Sequence, residues 1–353
     1  MKSEEEISSE LQQRRQKLEK IKAAGKDPYQ SRLKRTQQTA TIKEQFQEIE
    51  AGSHTGFNCT LAGRLRAIRR HGKATFAVLE DGFGSLQLYL TVDKLGEQYE
   101  QFLADIDIGD IIEASGEVFK TRRGELSLAV ASYTLLTKSL RPLPEKWHGL
   151  KDVEVRYRQR YVDLIVNPQV KAVFNKRIKI IKTIRHYLNE RGFLEVETPM
   201  LQPIPGGATA RPFVTYHNAL DMNLYLRIAP ELYLKRLIVG GYEKVYELNR
   251  SFRNEGISIK HNPEFTMLEV YQAYANYHDM LDLTEALIKE VAKAVGVSGK
   301  LEYQGIELDF EAKWQRLPML AALKEYANLE LSFDLDLQEL HQLADKLGVV
   351  TTP

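Results

Sequence analysis

The densest run of side chains able to do chemistry lies between Lys244 and Ala275, KVYELNRSFRNEGISIKHNPEFTMLEVYQAYA. Period-two alternation predicts a strand with Tyr246, Leu248 and Phe252 on one face and Glu247, Asn249, Ser251 and Arg253 on the other. A charged loop over 254–262 and a return strand carrying Phe265, Met267, Glu269 and Tyr271 on one face complete a long antiparallel hairpin. Arg253, Glu255, Lys260 and His261 gather at the loop, a set that suits a polyanion, and Gly256 is expected to supply the turn's positive φ. An edge hairpin facing only water shares the alternation. A face spent on Arg, Asn and Glu otherwise meets a ligand.

The string FRNEGISIKHNPEFTMLE resembles motif 2 of class II aminoacyl-tRNA synthetases, and in particular the form found in the lysyl-tRNA synthetase family. The resemblance covers the chain from about Phe57 and, more weakly, the N-terminal helix. It implies a strand-loop-strand over which ATP binds in a bent form. Amino-acid activation needs the lysine carboxylate aimed in line at the α-phosphorus, so positioning and charge neutralisation supply most of the rate. Arg253 is then the catalytic residue, because a guanidinium can hold a carboxylate and a phosphate together. For ATP, Glu255 would accept from the adenine amino group and Phe265 would stack on the ring. Lys260 and His261 would meet the outer phosphates, and Asn262 would fix the loop or the base. Glu269 with Tyr271 would take the ε-ammonium of L-lysine, or else pair with neighbours inside the sheet.

These groups need elements to hold them. PIPGGATARPF (Pro203 to Phe213) is a Gly-rich loop that resembles the family loop closing over the amino acid, with Gly207 offering backbone to it. LYLRIAPELYLKRLIVGG (Leu224 to Gly241) runs from a strand into a helix opened by Pro230. Glu231 there either complements the helix dipole or, as the resemblance implies, binds the α-ammonium of lysine. APELYLK separates this chain from the aspartyl and asparaginyl relatives. Val170 to Arg191 is an amphipathic helix stopped by Gly192 and followed by a strand over 193–197. That pair resembles motif 1 and implies a homodimer. Tyr277 to Val295 predicts a helix against the sheet, and Leu301 to Pro353 two more helical stretches.

The composition fits this division of labour. At 353 residues the chain exceeds one typical core. Its 43% hydrophobic and 27% charged residues describe a water-soluble globular protein. With a net charge of +1, any nucleic-acid binding rests on local basic patches. One cysteine, Cys59, excludes disulfides within the chain and a cysteine-based zinc site. MKSEEEISSE has no signal-peptide core and no apolar run spans a bilayer, so the cytoplasm is expected, without a membrane partner.

From Phe57 to about Lys138, five short alternating strands with a helical interval near Leu95–Asp105 suit a small barrel of OB type. Arg69, Arg70, His71 and Lys73 are placed in its first loop, and Arg122 and Arg123 in another. The barrel-then-motif-2 order resembles class IIb synthetases, whose barrel reads the anticodon. That implies Phe76 stacking on a base and Gln87 and Glu125 bonding uridine-rich anticodon edges of tRNA(Lys). On residue type alone, Phe76 reads as core. The first helix (about Ser3 to Ala24) and the basic Arg32, Lys34 and Arg35 after it are either a solvated surface or an extension touching tRNA backbone. Arg156, Arg158 and Arg160 are either a solvated face or part of a hinge near the tRNA.

The expected fold is α+β, an N-terminal β-barrel (OB-fold) anticodon-binding domain followed by a class II antiparallel-sheet catalytic domain. The expected bounds are a helical extension over 1–56, the barrel over 57–140, a linker over 141–168 and the partial catalytic domain over 169–353. The family's third motif, with its γ-phosphate Arg, and its downstream Mg2+-binding acids are not found before Pro353. No metal ligand is therefore expected within the chain, although Mg2+ accompanies ATP. Two readings stay open: a lysine-activating ligase cut before motif 3, itself a poor catalyst, or a naturally short, non-catalytic tRNA-binding or dimerising module.

Overall fold

The computed structural model describes residues 4–31, 33–144 and 150–349. Arg32, residues 145–149 of the expected linker and residues 350–353 lie outside them. The chain divides into two compact units, one up to Lys171 and the other from Ala172.

The first unit runs α1 (Glu4–Ala23), α2 (Thr39–Phe46), β1 (His54–His71), β2 (Ala74–Glu80), β3 (Ser85–Thr91), α3 (Val92–Leu95), α4 (Glu97–Asp105), β4 (Ile111–Lys120), β5 (Leu126–Thr137), α5 (Val153–Arg158) and α6 (Arg160–Val166). Its strands close a barrel in the order β1-β2-β3-β5-β4. Alternate residues such as Leu61, Leu79, Leu88 and Val130 fill the interior with Tyr99 and Phe102 of α4. Each such leucine contributes about 1.5–3 kcal/mol. At Gly116 the register shifts against β5, and a Cβ there would meet the Ala129 carbonyl. Only glycine allows that approach.

Two expectations change here, and helix α1 packs one face on the rest of its unit. Leu18 and Ile21 are buried, and Arg14 sends Nη1 to the carbonyls of Ile108 and Ser139, both at 3.0 Å. Lys17 reaches Asp107 at 2.6 Å. Arg69 and Arg70 lie in β1 opposite Phe76 and Thr75, because the turn takes only Gly72 and Lys73. Arg156 and Arg160 are not a solvated pair, since both bond the buried Asp163. Burial opposes that carboxylate's charge, but hydrogen bonds from Asn167 and Arg156 outweigh it and hold its pKa low. Arg158 stays exposed beside Glu154.

The second unit starts within α7 (Pro168–Asn189) and continues β6 (Leu194–Glu195), β7 (Leu201–Gln202), β8 (Val214–His217), β9 (Met222–Leu226), α8 (Glu231–Val239), β10 (Lys244–Phe252), β11 (Glu264–Gln272), α9 (Tyr277–Ala294), β12 (Lys300–Tyr303), β13 (Ile306–Asp309), α10 (Met319–Ala327) and α11 (Leu337–Lys346). Strand β10 pairs antiparallel with β11 and parallel with β6. Tyr246 and Leu248 pack into one cluster with Tyr187 and Leu188 of α7 and Leu287 of α9. The pleat therefore turns Glu247, Asn249 and Ser251 away from the helices. Two helices do fall within 301–353, α10 and α11, but the β12–β13 hairpin before them was not read from the sequence. Its turn is Gln304-Gly305, both at positive φ (52° and 79°).

Candidate active site and nucleic-acid interface

The β10–β11 ladder runs unbroken from Lys244 opposite Gln272 to Phe252 opposite Glu264. It sets Ser251 across from Phe265, Asn249 across from Met267 and Glu247 across from Glu269. Residues directly opposite share a face, so the polar groups of both strands converge. Arg253 extends the ladder, its N–H bonding the Pro263 carbonyl at 2.8 Å. Its guanidinium lies 5.2 Å above the Phe265 ring centroid. Arg253 Nε and Ser251 Oγ are both shielded from solvent without a hydrogen-bond partner. An orphaned buried polar group costs about 1–3 kcal/mol. Two on one face are consistent with an anion that both can meet.

The loop does not turn on Gly256, whose φ is not positive. It is closed by paired backbone bonds between Ser258 and His261 (3.1 and 3.2 Å), with Ser258 Oγ 2.8 Å from His261 Nδ1. Ser258 Oγ also accepts from the Lys260 N–H at 3.2 Å, and Asn262 lies exposed beside them. The Gly-rich loop is stitched to the hairpin at Arg211, whose carbonyl accepts from Asn254 N–H at 2.7 Å. Its own N–H reaches Glu255 Oε1 at 3.3 Å.

Glu231, the first residue of α8, holds Lys235 one turn on. Gly207 comes against it at φ +86°, where a Cβ would lie 2.9 Å from Glu231 Cβ and 3.2 Å from Ala229 Cβ. Glu269 accepts from the Tyr271 hydroxyl at 3.1 Å, and no ion pair to it is found among the described residues. Burial raises the Glu269 pKa. The Tyr271 hydroxyl and the Arg227 charge oppose that, while Glu231 and Glu247 push it further up. Burial, then Glu269, raises the Tyr271 hydroxyl as well. The result is a carboxylate short of positive charge.

Beneath it sits a pair that sequence reasoning gave no role. Arg227 and Glu247, each 1% exposed, meet at 2.6 Å. Arg227 Nε donates to the Arg250 carbonyl at 2.8 Å, and Thr198 Oγ1 to Glu247 Oε2 at 2.7 Å. The available signal was one Arg inside the apolar run LYLRIAP, beside a Glu on the hairpin's polar face.

On the barrel, a cavity of about 610 Å3 brings together Phe76, Gln87 and Glu125 with Arg69, His71, Arg122 and Arg123. In β2, Thr75, Ala77 and Leu79 point inward, so Phe76 faces outward rather than into the core. Tyr89, missed in the sequence, continues its ring surface at 5.1 Å. Gln87 Nε2 donates to Ser127 Oγ at 2.9 Å.

Two family models match the chain. The tRNA synthetases class II (D, K and N) cover residues 152–347, and the OB-fold nucleic acid binding domain covers residues 59–136. Among curated proteins, the chain is 57% identical over 349 residues to the lysine--tRNA ligase of Syntrophomonas wolfei subsp. wolfei, a match covering 98% of this chain and 70% of the relative. It is 54% identical over 347 residues to that of Pelotomaculum thermopropionicum, covering 98% and 67%. With a hairpin whose Arg253 keeps a buried, unsatisfied Nε and a barrel that carries an outward aromatic among basic side chains, the chain belongs to the class II tRNA synthetases (D, K and N), with an OB-fold nucleic-acid-binding domain preceding the synthetase domain.

Proposed function

We propose that this chain is a lysine--tRNA ligase, which activates L-lysine with ATP to lysyl-adenylate and pyrophosphate and then transfers lysine to the 3′ end of tRNA(Lys). The observation that carries the reading is Glu269. It is a half-buried carboxylate with a raised pKa and no ion pair among the described residues, and it shares its site with Glu231 and the neutral hydroxyl of Tyr271. Such a site suits a substrate with two ammonium groups and repels aspartate.

Glu231 takes the α-ammonium, with Gly207 backbone closing over it, and Glu269 with Tyr271 takes the ε-ammonium. The buried Arg227–Glu247 pair positions the floor of the site. Arg253 bridges the lysine carboxylate and the α-phosphate, neutralising the charge that gathers as the carboxylate oxygen displaces pyrophosphate. To do so it leaves Phe265, which then stacks on adenine. Glu255 accepts from the adenine amino group, Lys260 and His261 meet the outer phosphates, and Asn262 holds the loop.

No group of three or more His, Cys, Asp or Glu side chains placed to hold a metal occurs among the described residues. Mg2+ accompanies ATP in this reading, and no step is assigned to it. No helix among the described residues is long and apolar enough to cross a membrane. A cytoplasmic location is part of this proposal. Val173 and Ile178 of α7 stand 66% and 64% exposed, which suits the helix to a homodimer interface. Phe76, Gln87 and Glu125 read the anticodon.

ATP–pyrophosphate exchange, run with lysine, aspartate and asparagine side by side, tests the substrate. Lysine-dependent exchange alone is expected. Exchange with aspartate overturns the assignment of the pocket.

A further inference from the structure

One exposed side chain on the barrel is held far more firmly than its position requires. His54, at the start of β1, has a side chain 57% exposed. Yet its ring lies parallel to Phe119, at 5.2 Å between centroids and 15° between planes. Its Nδ1 is 3.0 Å from Glu117 Oε2, and Glu117 is itself fixed by the Gly56 N–H on Oε1 at 3.0 Å. The bulge between His54 and Asn58 explains the Gly56–Glu117 bond. The stacked pair and the Glu117 contact together hold the ring in place, an offset aromatic pair being favourable beyond the area it buries, and still leave the side chain 57% exposed.

The ring is also in line. Phe76, Tyr89 and Phe119 follow one another at 5.1 and 5.7 Å, and His54 is the next step, just beyond the cavity that collects Phe76, Gln87 and Glu125. Phe119 is 9% exposed, so it backs the ladder and His54 offers the open face. Gly52 packs against the Arg122 stem, a Cβ there lying 3.7 Å from Arg122 Cγ. This brings a guanidinium-bearing side chain to the same end of the ladder. A stacking platform beside a cation is what single-stranded nucleic acid needs.

We propose that His54 stacked on Phe119 forms a nucleobase platform at the edge of the cavity that Phe76, Gln87, Phe119 and Arg122 line, taking a nucleotide that flanks the anticodon, with Arg122 on its phosphate. Glu117 is a positioning residue that holds the ring. The inference rests on the reading of the barrel as an anticodon reader.

The experiment measures binding of the 353-residue chain to a labelled RNA stem-loop with a uridine-rich anticodon, by fluorescence anisotropy at fixed salt. The loop is used intact or with an abasic site on either side of the anticodon. His54→Ala is expected to weaken the intact loop about five- to tenfold, the lower end of the cost of losing one stacking ring. It should have no further effect on one of the two abasic loops, while His54→Phe should restore intact-loop binding. Equal losses on intact and both abasic loops mean a merely structural ring and overturn the proposal. Unchanged binding by His54→Ala, where Phe76→Ala loses affinity, overturns the proposal but leaves the anticodon reading standing. If Phe76→Ala changes nothing, both fall.

Discussion

Replacing Glu269 with Gln removes one charge while keeping shape and the Tyr271 contact (3.1 Å). In the ligand-bound site the lost interaction is a charge-assisted hydrogen bond to the lysine ε-ammonium, worth about 1.5–3 kcal/mol. At 1.4 kcal/mol per decade, lysine should bind about 10- to 150-fold more weakly. Norleucine, identical but for the ammonium, should bind wild type and Glu269→Gln alike, and ATP affinity should not move. The free protein should respond in the opposite sense. Burial, together with the charges of Glu231 and Glu247, lifts the Glu269 pKa above its ordinary 4.5. The folded state then holds that proton more tightly than the unfolded chain. The stability this brings is fully present below 4.5 and is lost as pH rises through the folded pKa. Glu269→Gln never ionises, so its melting temperature should exceed that of wild type at neutral pH and converge with it near pH 4. Calorimetry for the ligands and a melting series over pH read both effects. An equal loss for lysine and norleucine would remove Glu269 as the ε-ammonium partner, and a less stable Glu269→Gln at neutral pH would refute the charge argument.

Arg227→Met should destabilise the second unit by about 3–5 kcal/mol, because it strands the buried Glu247 carboxylate; denaturant unfolding should show this, and Arg227→Met with Glu247→Leu should recover much of it. Gly207→Ala places a methyl 2.9 Å from Glu231 Cβ at φ +86°. It should raise the lysine KM about tenfold while leaving the ATP KM unchanged in exchange kinetics, a left-handed alanine alone costing about 1–2 kcal/mol. Lys138 is buried against Asp107 and Asp110 at 2.6 and 2.7 Å. Burial pushes the Asp107 pKa up, but bonds from Lys138 and Lys17 outweigh it and hold it below 3.8. Its stabilisation is present above 3.8 and lost as pH falls through the folded value, so Lys138→Met should lower stability at neutral pH and flatten the acid unfolding limb followed by circular dichroism.

Local pattern alone fixed a good deal of this protein. The 254–262 loop, both flanking strands and the faces of Glu247, Ser251 and Glu269 follow from alternation, because a pleat leaves no freedom about which side a residue takes. The five barrel strands were legible for the same reason, and α9 by its helical periodicity. The β12–β13 turn was not, since Gln304-Gly305 is a weak turn signal and the run around it is too short to separate strand from helix. Tertiary structure alone decided the direction of Phe76. Its residue type says core, but Thr75 and Ala77 take the barrel interior and force it outward. It alone decided that Arg14 turns inward, because charge on a surface pattern carries no information about carbonyls 94 and 125 residues away; Arg156 and Arg160 have their partner Asp163 close by in sequence, and there the fold decided only that this carboxylate is buried. What holds for Arg14 holds for Arg227 under the substrate site. Its partner Glu247 is twenty residues away along the chain, and only the assembled second unit leaves both 1% exposed and 2.6 Å apart. A sequence reports which groups are available; burial, which needs the whole fold, decides which of them must find each other.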